Sequence, residues 1–173
     1  IYAQHMPNHL RRKLLKIPDF DVLSEEPTVT AQIIKERLND MDVKNVKIIK
    51  RPAMGEIIAT HYEIRVGNDT VVFIYEPLAC HSYNTFTQHG EDINVASIDT
   101  MLSFYLAFLY IDNPLYNYNP DRILCMSQFL FDVQQKNRLN QKGILKRFSL
   151  NCIGHQPTIE EMREEKAKMF KDL

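Results

Sequence analysis

Residues 56–75, EIIATHYEIRVGNDTVVFIY, have the pattern of two β-strands joined by a tight turn. β-Branched residues dominate both arms, 56–66 and 70–75, as they do in strands that pack on a pleated, half-buried surface. The tripeptide from Gly67 to Asp69 has the composition of a hairpin turn. We therefore predict that these two strands pair antiparallel.

The segments on either side of the hairpin complete a mixed α/β pattern. A helix is predicted over 27–41, with Pro27 in its first turn and one apolar face formed by Ala31, Ile34, Leu38 and Met41. The expected class is a mixed sheet with helices on one face. The other predicted elements are a short basic helix at 9–16, strands at 19–24 and 44–50, and helices at 95–111, 120–137 and 158–171, the last opening with a Thr158/Glu161 capping box.

Composition excludes several classes of protein. The chain has 173 residues, a net formal charge of −1 and 45% hydrophobic residues, which indicates one globular unit. The apolar run 95–111 is shorter than a membrane span and contains Asp99, so we interpret it as a central buried helix and expect no membrane association. The three cysteines form no CxxC pair, which favours a reducing compartment.

The pair Asp19 and Asp21 is the leading candidate for catalysis. Side chains two positions apart on a strand point the same way, and two carboxylates can hold Mg²⁺ or Mn²⁺. Two-metal nucleotidyl transfer needs a third carboxylate on a neighbouring strand, for which Glu63, Asp69 and Glu76 are the candidates. Either aspartate could instead turn the chain after Pro18.

Cysteine and histidine side chains form a second possible constellation. A zinc site can be imagined across two loops, although the C-x2–4-C spacing of structural zinc sites is missing. A nucleophilic pair of Cys80 and His81 is less plausible, because sequence neighbours rarely face each other. The residues of this group are Cys80, His81, His89, Cys152 and His155.

Basic residues are segregated from acidic ones, which suggests contact with a polyanion. Residues 1–18 and 133–159 contain Lys and Arg but no Asp or Glu. Phe148 could stack on a base, and a solvated helix end is the alternative interpretation of this stretch. The residues that we predict to contact RNA phosphates are Arg11, Arg12, Lys136, Arg138, Lys142, Lys146 and Arg147.

Several long stretches resemble the catalytic-subunit family of poly(A) polymerases from large cytoplasmic DNA viruses. The resemblance covers most of the chain and is most distinctive over 94–148. The matching stretches are MPNHLRRKLL, PDFDVLSEEP, HYEIRV, VVFIYEPLACHSYN, ASIDTMLSFYLAFLY, RILCMSQFLFDVQQKNRLNQKGILKRFSL and TIEEMREEKAKMF.

The resemblance implies a polymerase-β-like nucleotidyltransferase fold, with an α/β core over 1–93 and a helical part over 94–173 packed on it. It also implies an enzyme that adds poly(A) to mRNA 3′ ends from ATP with Mg²⁺ or Mn²⁺. The implied partners are RNA, ATP, a second nucleotidyltransferase-like half and a homodimer mate, in host cytoplasm or the virion.

Two departures from the family pattern concern catalysis. No glycine precedes Asp19, and the strand expected to supply the third aspartate reads TVVFIYEP, with Val72 and Phe73 at that position. Asp19 and Asp21 are thus predicted metal ligands that could be vestigial, and the chain resembles the C-terminal, non-catalytic half. Two alternatives stay open, namely an active nucleotidyltransferase with Glu63 or Glu76 as third ligand, and a purely structural dimerisation module.

Overall fold

The structure is a computed structural model that describes residues 19–55, 57–111, 120–139 and 149–171, together with single positions 8, 11 and 146. The predicted basic helix at 9–16 lies outside these residues except for Arg11. In chain order the elements are β1 (Phe20–Leu23), α1 (Pro27–Asp40), β2 (Val46–Arg51), β3 (His61–Val66), β4 (Asp69–Tyr75), β5 (His81–Gln88), β6 (Glu91–Ala96), α2 (Ile98–Tyr110), α3 (Pro120–Lys136), β7 (Cys152–Ile153) and α4 (Ile159–Met169).

The larger sheet has the strand order β1-β4-β3-β2. β1 runs parallel to β4, and the other neighbours are antiparallel. Val66 pairs with Asp69 across a two-residue turn, in which Gly67 has a φ of +62° that glycine adopts without strain. The predicted hairpin is confirmed, although β3 begins at His61 rather than at residue 56.

Helix α1 covers one face of this sheet. Its Ala31 is 1% exposed and packs with alternate strand residues of that face, among them Ile64 and Ile74. Met41 was predicted on the apolar face, but it follows the last helical residue and is 75% exposed. The prediction is wrong there because the helix ends one residue earlier.

The opposite face of the sheet is covered by α2. Phe104 and Phe108 of this helix pack against Tyr75, whose side chain points away from α1 because successive strand residues alternate between faces. The prediction of helices on one face is therefore wrong, since α1 and α2 enclose the sheet from both sides. Burial on both faces explains why β4 is apolar almost throughout.

A second sheet, with the order β6-β5-β7, was not predicted. His81 and His89 were expected to lie in one loop, but residues 81–88 and 91–96 form a hairpin. Its turn consists of His89 and Gly90, with φ values of +54° and +84°. Both strands, HSYNTFTQ and EDINVA, are rich in polar residues, and most residues of β6 are exposed. The two strands therefore lack the apolar alternation that identifies a strand in a sequence.

Helix α2 begins at Ile98, three residues later than predicted. The hydroxyl of Ser97 accepts a hydrogen bond from the backbone N–H of Thr100, which caps the helix, and the two residues before Ser97 belong to β6. Within the described ranges, no helix is long and apolar enough to cross a membrane. The predicted helix at 120–137 is confirmed as α3, whose Leu130 and Val133 pack against α2.

The C-terminal segment is attached to the second sheet by a covalent bond. Cys80 and Cys152 form a disulfide, and β7 pairs with the beginning of β5. This bond is at odds with the reducing compartment that the cysteine spacing suggested, while Cys125 is free and exposed. β6 also spans the predicted division between residues 93 and 94, so the division into two parts stays a prediction.

Helix α4 has the predicted capping box, and all of its residues are exposed among the residues that the structure describes. Thr158 accepts a hydrogen bond from the backbone N–H of Glu161, and the Glu161 carboxylate accepts one from the backbone N–H of Thr158. No residue of α4 is buried, and Phe170 at its C-terminal end is 69% exposed. The capping box and the helical spacing of its charged residues both stabilise this helix.

Candidate functional site

A cavity of about 570 Å³ lies between β1, α2 and β6. Asp19 and Asp21 line it on the β1 side, and Phe104, Tyr105 and Phe108 line it on the α2 side. Asp21 lies in β1 and Asp19 immediately precedes that strand, so both aspartates line the same cavity. The sheet thus presents two carboxylates to a mainly aromatic wall.

Asp21 is one of the titratable groups of this cavity whose pKa is perturbed. Its side chain keeps access to solvent because the cavity is open, but protein atoms surround the carboxyl group on its other sides. That burial, reinforced by the nearby charge of Asp19, raises the pKa of Asp21 to about 6. A hydrogen bond with the Tyr75 side chain and the charge of Arg122 act in the opposite direction, lowering the pKa.

The register of the sheet determines what lies beside Asp21. β1 pairs with β4 so that Asp21 is level with Phe73, and Phe73 is level with Glu63 on β3. Neighbouring strands are about 4.8 Å apart, so Glu63 lies about 10 Å from Asp21 across the sheet, with a phenyl ring between them. An aromatic side chain thus occupies the neighbouring-strand position at which the third carboxylate was sought.

Glu63 is engaged in an ion-pair cluster instead. It is 2% exposed, accepts hydrogen bonds from Arg51 (Nε to Oε2, 2.9 Å) and from Thr70, and forms an ion pair with Arg65 (Nε to Oε1, 3.0 Å). Burial alone would raise the pKa of Glu63, but the hydrogen bonds and the two guanidinium charges outweigh it and hold the pKa below its usual value. Its position and its partners favour a structural role.

The two other candidates for a third carboxylate are also away from Asp21. Asp69 is the exposed first residue of β4, next to the hairpin turn. Glu76 follows β4 and lines a separate cavity of about 400 Å³ with Glu25 and Lys50. Neither side chain shares the cavity of Asp19 and Asp21.

The donor set does not fit a two-metal centre. Asp19 and Asp21 supply two carboxylates, and the ligand pattern of two-metal nucleotidyl transfer asks for a third on a neighbouring strand. Among the residues that the structure describes, no group of three or more His, Cys, Asp or Glu side chains could hold a metal ion. Asp19 and Asp21 alone therefore do not supply the ligand set of a two-metal centre for Mg²⁺ or Mn²⁺.

The cysteine and histidine constellation is not assembled. Cys80 and Cys152 are bonded to each other, so neither offers a thiolate to zinc or to a substrate. His81 lies in β5, His89 lies in the hairpin turn, and His155 hydrogen-bonds near the N-terminus of α4. The disulfide thus removes the sulfur ligands of the imagined zinc site and the nucleophile of the Cys80/His81 pair.

Part of the predicted RNA-contacting set can be placed. Lys136 and Arg138 lie exposed at the C-terminal end of α3 and just after it. Lys146 is exposed too, and its backbone carbonyl accepts a hydrogen bond from the buried Asn84 of β5 (3.0 Å). Arg11 is exposed at an isolated described position. The remaining members, with the stacking candidate, lie outside the described residues: Arg12, Lys142, Arg147 and Phe148.

Sequence reasoning missed the part that aromatic residues play in this site. Tyr75 is 3% exposed and lies close enough to Asp21 to lower the pKa of that carboxyl group, and Tyr105 also lines the cavity. Burial, together with the Asp21 charge, raises the pKa of Tyr105. Alternation along β4 signals that Tyr75 and Phe73 share a face, but the partner of that face becomes visible only in the tertiary structure.

The mixed sheet, the parallel β1–β4 pair with Asp21 on β1, and the helices that follow are the elements that we expected of a polymerase-β-like nucleotidyltransferase fold. The crystal structure of the Megavirus polyadenylate synthase matches 99% of this chain with a TM-score of 0.63 and 14% sequence identity. The match shows a shared fold, and this chain spans 37% of the length of that protein. No protein-family model and no curated protein sequence matches the chain.

Proposed function

We propose that this chain is a nucleotidyltransferase-like half of a poly(A)-synthesising enzyme, and that it holds RNA and supports the fold rather than transferring nucleotides. The likeness to a part of the Megavirus polyadenylate synthase supports the enzyme class. The partner implied by this proposal is a catalytic half that adds AMP from ATP to an RNA 3′ end. A second copy of the chain is a further partner in this proposal.

The observation that carries the non-catalytic role is the register of β1 against β4. Metal-dependent transfer needs carboxylates converging on two metal ions that stand about 4 Å apart. Here Phe73 stands level with Asp21, and Glu63 on the next strand is held by two arginines. Asp19 and Asp21 are therefore proposed as vestiges of a metal site.

Holding RNA is proposed for the basic residues around the end of α3. Lys136, Arg138 and Lys146 are exposed and belong to a stretch, 133–159, that contains no acidic residue. Phosphate contacts of this kind release counterions, so the affinity falls steeply with salt. Each phosphate contact to a single strand contributes roughly 0.7 to the slope of log affinity against log salt concentration.

The test combines two assays on the same preparation. We expect the 173-residue chain to bind oligo(A) in a salt-dependent manner and to add no AMP in the presence of ATP with Mg²⁺ or Mn²⁺. The double variant Lys136→Ala/Arg138→Ala should lower the salt slope by about 1.4, the contribution of two contacts. The matched control is Lys44→Ala/Lys47→Ala, which removes two exposed lysines at β2 and should leave the slope unchanged.

The outcomes separate the three roles. Salt-dependent binding without AMP addition supports the proposal. AMP addition that is lost in Asp21→Ala would establish an active nucleotidyltransferase and refute the vestigial role. Absence of both RNA binding and AMP addition would leave the structural dimerisation module, for which sedimentation of the wild-type chain is the direct measurement.

A further inference from the structure

The cavity beside β1 has a rigid aromatic end. Tyr75, Phe104 and Phe108 form a mutually tilted cluster, with ring centroids 5.5 Å apart for Tyr75 and Phe104 and 6.2 Å apart for Tyr75 and Phe108. Tyr75 is 3% exposed, so the cluster is fixed by the core. The volume of about 570 Å³ lies within the range of small-molecule sites, roughly 300–1,000 Å³.

Among the described residues that line the cavity, the charged side chains are two carboxylates. Asp19 and Asp21 line it together, and Asn94 of β6 adds an amide. The Tyr75 side chain lies close enough to Asp21 to lower the pKa of its carboxyl group. None of the described residues that line the cavity is Lys or Arg, and the nearby charge of Arg122 offsets only one of the two carboxylates, so the net charge around the cavity stays negative. Such a site attracts N–H donors and repels anions.

We propose that this cavity binds a planar aromatic ring whose edge carries two adjacent N–H donors, of the guanine type, and that it rejects nucleoside triphosphates. The ring would stack in the aromatic end, and its donor edge would face the carboxylate of Asp21. The inference rests on the proposed function in one respect, namely that no nucleotidyl transfer takes place in this cavity. It assigns a ligand to a site that the RNA-holding residues do not use.

The distinction between guanine and adenine follows from their donor groups. A carboxylate has two oxygens that can accept two parallel hydrogen bonds, as it does from arginine. The ring N–H and the exocyclic amino group of guanine lie side by side and match that geometry. Adenine offers an amino group beside a ring nitrogen that accepts, so one carboxylate oxygen faces a lone pair. Guanosine should therefore bind more tightly than adenosine.

Methionine-methyl NMR reports occupancy of the cavity directly. Met101 lines the cavity and Met41 is exposed beyond α1, so their methyl signals serve as probe and internal control. The full chain is titrated with guanosine, adenosine and GTP, the last with and without Mg²⁺. We expect guanosine to shift the Met101 signal alone, with adenosine at least about 10-fold weaker and GTP without effect, because a charged hydrogen bond contributes about 1.5–3 kcal/mol.

Two variants complete the test. Asp21→Asn keeps the shape of the side chain but removes its charge, and should weaken guanosine binding about 10- to 100-fold. Asp92 is exposed on β6 outside the cavity, so Asp92→Asn should leave the affinity for guanosine unchanged. The inference would be overturned if guanosine and adenosine bound with equal affinity or if GTP bound more tightly than guanosine. It would also be overturned if Asp21→Asn left the affinity for guanosine unaltered, or if no ligand shifted the Met101 signal. None of these results depends on oligo(A) binding or AMP transfer, so the proposed function is tested separately.

Discussion

The raised pKa of Asp21 makes the stability of the chain depend on pH in a defined direction. The unfolded carboxyl group titrates near 3.8 and the folded one near 6. Between these values the folded state binds more protons than the unfolded state, so the free energy of unfolding falls as pH rises through this window. Above pH 6 the ionised Asp21 carries the full cost of its partly buried position.

The magnitude follows from the same two values. A difference of about two pKa units corresponds to about 3 kcal/mol if the group were wholly buried. Asp21 is exposed on the cavity side, where water screens its charge, so we expect about 1 kcal/mol. Asp21→Asn should therefore be more stable than the wild type by about 1 kcal/mol at pH 8 and equally stable at pH 3.5.

Urea unfolding of both proteins at several pH values measures this difference. For a chain of this size, 1 kcal/mol corresponds to about 2–4 °C in melting temperature, which thermal unfolding resolves as a second readout. Asp92→Asn is the control, because it replaces an exposed carboxylate but keeps the oxygen that accepts a hydrogen bond from Thr87. A variant Asp21→Asn that is less stable than the wild type at pH 8 would refute the reasoning.

Three further changes test the interactions that position the site. Glu63→Gln leaves two partly buried guanidinium groups without their counter-charge and should lower the free energy of unfolding by about 2 kcal/mol in urea titration. Reduction of the Cys80–Cys152 disulfide releases a loop of 72 residues and should cost roughly 4 kcal/mol, whereas Cys125→Ser should not alter the melting temperature. Gly154→Ala should strongly lower the melting temperature, because Gly154 has a φ of +92° and an added Cβ would lie 2.8 Å from the side chain of Pro77. A melting temperature near that of the wild type would contradict this prediction.

The central hairpin was predictable because its signals are local. Turn composition at Gly67 and strand propensity on both sides are contained in twenty residues, and the structure confirms the pair. Likewise Thr158 and Glu161 are three positions apart, so their capping box could be read directly. Elements whose apolar or capping patterns lie within a few neighbouring residues were therefore predictable from the sequence.

The features that were missed depend on residues far apart in the chain. Asp21 lies level with Phe73 because a parallel strand pair brings them together, and nothing near either residue specifies that register. Cys80 and Cys152 are 72 positions apart, and their pairing follows from the alignment of β5 with β7. The polar hairpin of β5 and β6 was not predicted, because polar contacts between the strands, such as the hydrogen bond from Thr85 to Asn94, take the place of apolar alternation.

The disulfide also closes a covalent ring within the chain. β5, β6, α2 and α3 all lie between Cys80 and Cys152, so they form a loop whose two ends are chemically joined. A single peptide-bond cleavage anywhere inside this loop would leave the two fragments attached to each other. They would migrate as one species on a denaturing gel until a reducing agent is added. The second sheet and the helix pair would stay tethered to the larger sheet after such a cut.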